Sequence, residues 1–203
     1  MKKIDPTPEF IKKNYDKTIA IINEMIKSDR KQKILDLFNF FDERYATCPA
    51  SNQKIYYSAF PGGLAYHNLS VLQCLGRLAS MMAKDEFNNE SLIVISFLHN
   101  IGLLGNKDKE YFLVQTSDWH KQQGIMYSIN PKIDFVKVPH RSLFLLQEFD
   151  ILLSKDEYMT ILLQDGREDD SNKNYCYKDS KLAQIFQFAK SWTIKMERAE
   201  LEY

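Results

Sequence analysis

The sequence predicts an all-α fold, a helical bundle that carries one small β-hairpin. Two observations carry this reading. Only seven glycines interrupt the 203 residues, so breakers are sparse. Between them, apolar residues recur three and four positions apart over long stretches, the period of a helix with one buried face.

The elements follow in order. Thr7-Pro8 reads as an N-cap followed by proline at the first helical position, opening a helix to about Lys27. A second helix spans about Arg30 to Tyr45, and Cys48-Pro49-Ala50-Ser51 breaks the pattern. An irregular loop then reaches Pro61-Gly62-Gly63. From there Leu64, Val71, Leu75, Leu78 and Met82 mark one helical face, with His67 on it. Ser91 to Leu104 is apolar on nearly every side, so it reads as a central buried helix with His99 inside. Segments 124–129 and 133–138 flank the turn signal Asn130-Pro131 and predict the hairpin. His140 opens another helix. Ser154 and Glu157 form a capping box for the next, which stops near Gln164-Asp165-Gly166. Arg167 to Asn174 is a charged loop, and the last helix runs from about Ser180. No repeat or linker divides the chain. Residues 1–47 read as a helical extension packed on a domain over 48–203, the two forming one unit.

Hydrophobic residues make up 44% and charged residues 27%, with a formal net charge of zero. That balance gives no ground for bulk nucleic-acid binding or attraction to acidic membranes, while leaving room for a local basic pocket. Cys48, Cys74 and Cys176 are scattered, with no CxxC pair. Reduced thiols in a cytoplasmic protein are therefore expected, rather than a disulfide framework. No signal peptide is expected at the N-terminus. The longest apolar stretch, near Leu92 to Leu98, is too short to cross a bilayer.

Two histidines stand in distinctive settings, Gly62-Gly63-Leu64-Ala65-Tyr66-His67 and Phe97-Leu98-His99-Asn100-Ile101-Gly102. A lone buried histidine is usually a satisfied core residue. Two on facing apolar helices point further. The order Pro49-Ala50-Ser51, Tyr56-Tyr57, Gly62-Gly63-Leu64, His67, His99-Asn100 and His140-Arg141-Ser142 resembles the HD-domain phosphohydrolase superfamily. Within it, the likeness is to the branch of bacterial 3′-to-5′ exoribonucleases and phage HD hydrolases. It covers about Cys48 to Glu197.

The resemblance implies metal ligands His, His-Asp, His, His and Asp. Here those positions read His67, His99-Asn100, His140, Gln164 and Lys190. Asparagine and glutamine are poor substitutes for carboxylate and imidazole, and a protonated ammonium repels a cation. Replacing Asp by Asn and Asp by Lys makes the pocket more positive by about three charges. The likeness therefore implies a degenerate site, with no cofactor expected. It would hold a nucleotide or other phosphorylated small molecule without hydrolysing it, for sensing or sequestration. His67, His99, Asn100, His140, Gln164, Lys190, Tyr57 and Arg141 are the candidate ligand-binding residues.

Two other readings stay open. One is a metal-dependent phosphohydrolase, with a divalent zinc, manganese or iron ion held by His67, His99, His140 and Asp165. The other is a protein-interaction scaffold in which the old site is filled core. Self-association into a homo-oligomer also stays open. Lys190 lies at the edge of the stripe formed by Leu182, Ile185, Phe186, Ala189, Trp192, Thr193 and Met196. It either snorkels to solvent along Phe186 or turns inward to offer a phosphate its charge.

Overall fold

A computed structural model describes residues 4–82 and 86–201, with side chains in the last helix as far as 198. The chain is predominantly helical. Its helices are α1 (Pro8–Met25), α2 (Arg30–Thr47), α3 (Gly63–Met82), α4 (Asn89–Leu98), α5 (Asp118–Gln122), α6 (Val138–Glu148), α7 (Lys155–Leu162) and α8 (Lys181–Leu201). The strands β1 (Phe112–Val114) and β2 (Tyr127–Ile129) form the one sheet among the described residues.

The predicted start signals work as read. The Thr7 side chain accepts from the Phe10 N–H at the head of α1. Ser154 and Glu157 make the reciprocal capping box of α7. α2 buries Ile34, Leu37, Phe38, Phe41 and Tyr45, one stripe at helical spacing. The backbone leaves helical geometry at Asp42, which kinks α2.

α4 is the centre. Every residue from Leu92 to Leu98 is buried, as its all-round apolarity requires. It packs against α1, α3 and α7, while α8 lies along α3 and α7. The buried residues form one continuous core that includes Ile22, Ile34, Phe38 and Tyr45 from the first two helices. Those helices therefore share the core with the rest of the chain. Three helix starts are also tied by charge. Arg30 opens α2 and bonds Glu90 at 2.9 Å and Glu157 at 2.7 and 2.9 Å.

Two glycines permit close approaches that position the site. A Cβ on Gly63 would lie 2.0 Å from the Ser58 carbonyl oxygen, so only glycine lets α3 begin against that loop. A Cβ on Gly102 would lie 2.5 Å from the Val138 carbonyl. Glycine there lets α6 press onto the 3-10 turn Ile101–Leu104 that follows α4.

The hairpin exists with a different partner from the one its turn signal suggested. β2 pairs antiparallel with β1, Phe112 opposite Ile129 and Val114 opposite Tyr127. Segment 133–138 is no strand. The reason is Asn130, whose N–H donates to the Tyr111 carbonyl and whose side-chain amide donates to the Glu110 carbonyl. The incoming chain at 110–112 thus takes the edge that 133–138 would need. Asn130-Pro131 instead turns the backbone out toward α6.

α8 is rotated from the expected face. Trp192 and Met196 are exposed, and the buried side is Leu182, Ile185, Phe186, Ala189, Lys190, Thr193 and Glu197. Met82 at the end of α3 is also exposed. No helix among the described residues is long and apolar enough to cross a membrane.

Candidate functional site

The centre of the site is a pair of buried imidazoles. His67 sits in the first turns of α3 and His99 follows α4 directly, with ring centroids 5.9 Å apart. His67 Nδ1 lies 3.0 and 3.2 Å from the two carboxylate oxygens of Glu197. The Ser58 hydroxyl donates to the same carboxylate at 2.7 Å. His99 Nδ1 faces the carbonyls of Ile95 and Ser96 at 3.1 and 3.0 Å. A carboxylate or carbonyl accepts only, so both Nδ1 atoms carry hydrogen. On His99, Nε2 is then a bare lone pair. Among the described residues neither Nε2 has a hydrogen-bond partner, and nor does the side-chain nitrogen of Asn100. Burial, then the charge of Lys190 and the neighbouring His67, pushes the His99 imidazole well below its ordinary pKa. It is a neutral acceptor.

A chain of hydrogen bonds leads outward from His99. Its carbonyl oxygen accepts from the Ser142 hydroxyl at 2.8 Å and from the Gln164 amide at 2.9 Å. The Gln164 oxygen accepts from Lys190 Nζ at 2.8 Å, and Lys190 also donates to Asp165 Oδ1 at 2.6 Å. Lys190 is 5% exposed. It turns inward and does not snorkel. An ammonium has three hydrogens, and these two contacts use two of them.

Lys190, Gln164, Asp165 and Tyr57 line an open pocket of about 450 Å³. Among the described residues its lining carries four cationic side chains, Arg167, Lys190, Lys195 and Arg198, against two carboxylates, Asp165 and Glu168. Tyr57 forms the wall between this pocket and the histidines, its ring 4.7 Å from that of His67. Burial, with Asp165 and Glu197 nearby, pushes the Tyr57 phenol up, so it stays protonated at neutral pH.

The structure brings His67, His99, Gln164, Lys190 and Tyr57 together, with Asp165 beside them, while Asn100 follows His99 and is buried. Two candidates stand apart. His140 is on the exposed side of α6, because the inward positions of that helix go to Arg141, Ser142 and Leu145. Arg141 is buried but committed to backbone. Its Nη2 donates to the Asp134 and Val136 carbonyls, and its guanidinium lies over the Tyr111 ring. It holds the loop before α6.

The donor set does not fit a metal of the kind the HD likeness implies. Two imidazole nitrogens face the interior without a partner, where such a centre takes three protein ligands or more. His140 points away, and Lys190 claims both Gln164 and Asp165. No cluster of three or more His, Cys, Asp or Glu side chains arranged for a metal occurs among the described residues.

Glu197, Ser58 and Thr193 were absent from the candidates read in the sequence. A signal for two of them existed. Stepping from Phe186 along α8 by four, three and four residues reaches Lys190, Thr193 and Glu197, a polar continuation of the buried stripe. Ser58 carries no such signal; it is a loop residue with φ of 41°. Comparison of the chain with known protein families, with characterised proteins and with solved structures finds no match to any of them.

Proposed function

We propose that the protein is a degenerate HD-type domain that binds a nucleotide or another phosphorylated small molecule and does not hydrolyse it. One observation carries the reading. The Lys190 ammonium is buried at the floor of an open pocket, oriented by Gln164 and Asp165, with one N–H unspent. A phosphate oxygen is the partner such a donor suits. Among the described residues, Arg167, Lys195 and Arg198 around the mouth leave a cationic excess after Asp165 and Glu168 are counted, which attracts an anionic ligand.

The chemistry of the histidines argues against turnover. His99 offers a lone pair and repels a phosphate oxygen. His67 is shielded behind Tyr57. The donor set for a metal-bound hydroxide is incomplete, and general-base chemistry by an imidazole alone is slow. A metal-dependent phosphohydrolase would need a third ligand that His140 does not supply. The ligand would therefore be sensed or sequestered.

The test is thermal stability with inorganic pyrophosphate and with nucleoside triphosphates. A ligand at about a hundred times its Kd adds about 2.7 kcal/mol. We expect saturable stabilisation, reduced in Lys195→Ala/Arg198→Ala, and no phosphate release with or without added zinc, manganese or iron. Absence of stabilisation by every phosphorylated probe would overturn the reading. So would chelator-sensitive hydrolysis with near-stoichiometric metal.

A further inference from the structure

A second and larger cavity, about 840 Å³, opens on the other flank of α8, between it and α3. Its chemistry differs from that of the cationic pocket. Leu78, Phe188, Trp192 and Met196 are among its walls. Phe188 and Trp192 are 62% and 61% exposed. Single exposed apolar residues are ordinary, but several around one concavity mark a binding surface. Thr193 also lines this cleft, is itself 5% exposed, and its hydroxyl has, among the described residues, no partner stronger than the weakly bonding Cys74 thiol beside it. A helical threonine ordinarily donates to the carbonyl one turn back. Apolar and aromatic walls with a few polar groups such as Gln73, Arg77 and Thr193 are the composition of a small-molecule site.

The two cavities adjoin. Phe188, Ser191 and Lys195 line both. Ser191 is small and makes a saddle in the ridge of α8 between the bulkier Phe188 and Lys195. Lys195 adds a positive charge to the lining of both.

We propose that the cleft between α3 and α8 is a subsite for a heteroaromatic ring, and that one ligand lies across Ser191. Its ring stacks on Trp192 and its phosphates enter the cationic pocket. This rests on the phosphate-binding reading above and narrows its ligand to a nucleotide. An exposed indole stacks any nucleobase, and the Thr193 hydroxyl adds a hydrogen bond at the ring edge.

The chain has two tryptophans, so Trp119→Phe leaves Trp192 as the sole reporter. This variant is titrated with ATP, GTP, CTP, UTP and inorganic triphosphate, following tryptophan emission and, separately, calorimetry. At least one nucleotide should bind about tenfold tighter than inorganic triphosphate and quench Trp192, while triphosphate binds without quenching. In the otherwise native chain, Trp192→Ala should bring that nucleotide down to the affinity of triphosphate, and Thr193→Val should weaken its preference. Trp192 is exposed and Thr193 gives up only its weak contact with the Cys74 thiol, so folding is preserved. Equal affinity for triphosphate and all four nucleotides, or a preference that survives Trp192→Ala, overturns the subsite and leaves the phosphate pocket standing. If triphosphate and the nucleotides all fail to bind, both proposals fall.

Discussion

Glu197 reaches from α8 to the Nδ1 edge of His67 on α3, 3.0 Å away, in the interior. The same carboxylate holds the Ser58 hydroxyl. One side chain from the last helix thereby fixes both the imidazole and the loop before α3. Unsatisfied buried polar groups cost more than a typical hydrogen bond contributes, so this contact should dominate the local energetics.

Glu197→Ala should destabilise the protein by about 3 kcal/mol, because it strands a buried N–H and a buried hydroxyl. Glu197→Gln keeps an acceptor for His67 and should cost about 1 kcal/mol. Urea unfolding of the two variants checks the order. Equal losses would mean that the carboxylate only fills space.

Lys190→Met should lose about 1 to 2 kcal/mol by the same measurement, since Gln164 loses its donor while Asp165, with a side chain 40% exposed, can turn to water. The stabilisation by pyrophosphate should disappear with it. A variant that keeps the full pyrophosphate shift would remove Lys190 from the ligand's contacts.

His99 should stay neutral as the protein is acidified. Burial first, then Lys190 and the neighbouring His67, hold its pKa well below 6.5 in the folded chain. The unfolded chain takes up that proton first, so the contribution to stability is complete above pH 6.5 and declines below it. Imidazole nitrogen shifts by NMR should report hydrogen on Nδ1 and an unprotonated Nε2 well below the pH at which a free imidazole takes up its proton. Titration near the ordinary value would contradict this.

Glu90 should set part of the acid limit. Burial opposes its ionisation, but the Ser28 hydroxyl, the Lys27 and Ser28 N–H groups and Arg30 prevail and hold its carboxyl down at about 2. Its contribution is present above the ordinary value of 4.5 and is lost as pH falls toward about 2. In Glu90→Gln, the melting temperature should be lower at neutral pH and fall less steeply across that window. Parallel curves for variant and wild type would show that Glu90 does not couple folding to protons.

Much of this was legible in the sequence because it is local. The Thr7 and Ser154 caps, the all-round apolarity of α4 and the inward setting of His67 and His99 each follow from spacing within one element. What escaped notice depends on contacts between elements. The strand opposite β2 was decided by Asn130 bonding back to residues 110 and 111, twenty positions upstream. His140 opens a helix as read, but which way it faces depends on Gly102 admitting Arg141 and Ser142 to the interior side. The true face of α8 was hidden because Trp192 and Met196 are apolar, while Lys190 and Glu197, which are charged, are the buried residues. Hydrophobicity ranks those four in the wrong order wherever ions are partnered inside.

Lys190 and Glu197 ride on a single rod, seven residues and so about 10 Å apart along its axis. An axial slip or a half-turn roll of that rod would disengage the lysine end and the histidine end in one stroke. Whatever grips the ridge at Ser191 from outside therefore has mechanical purchase on both.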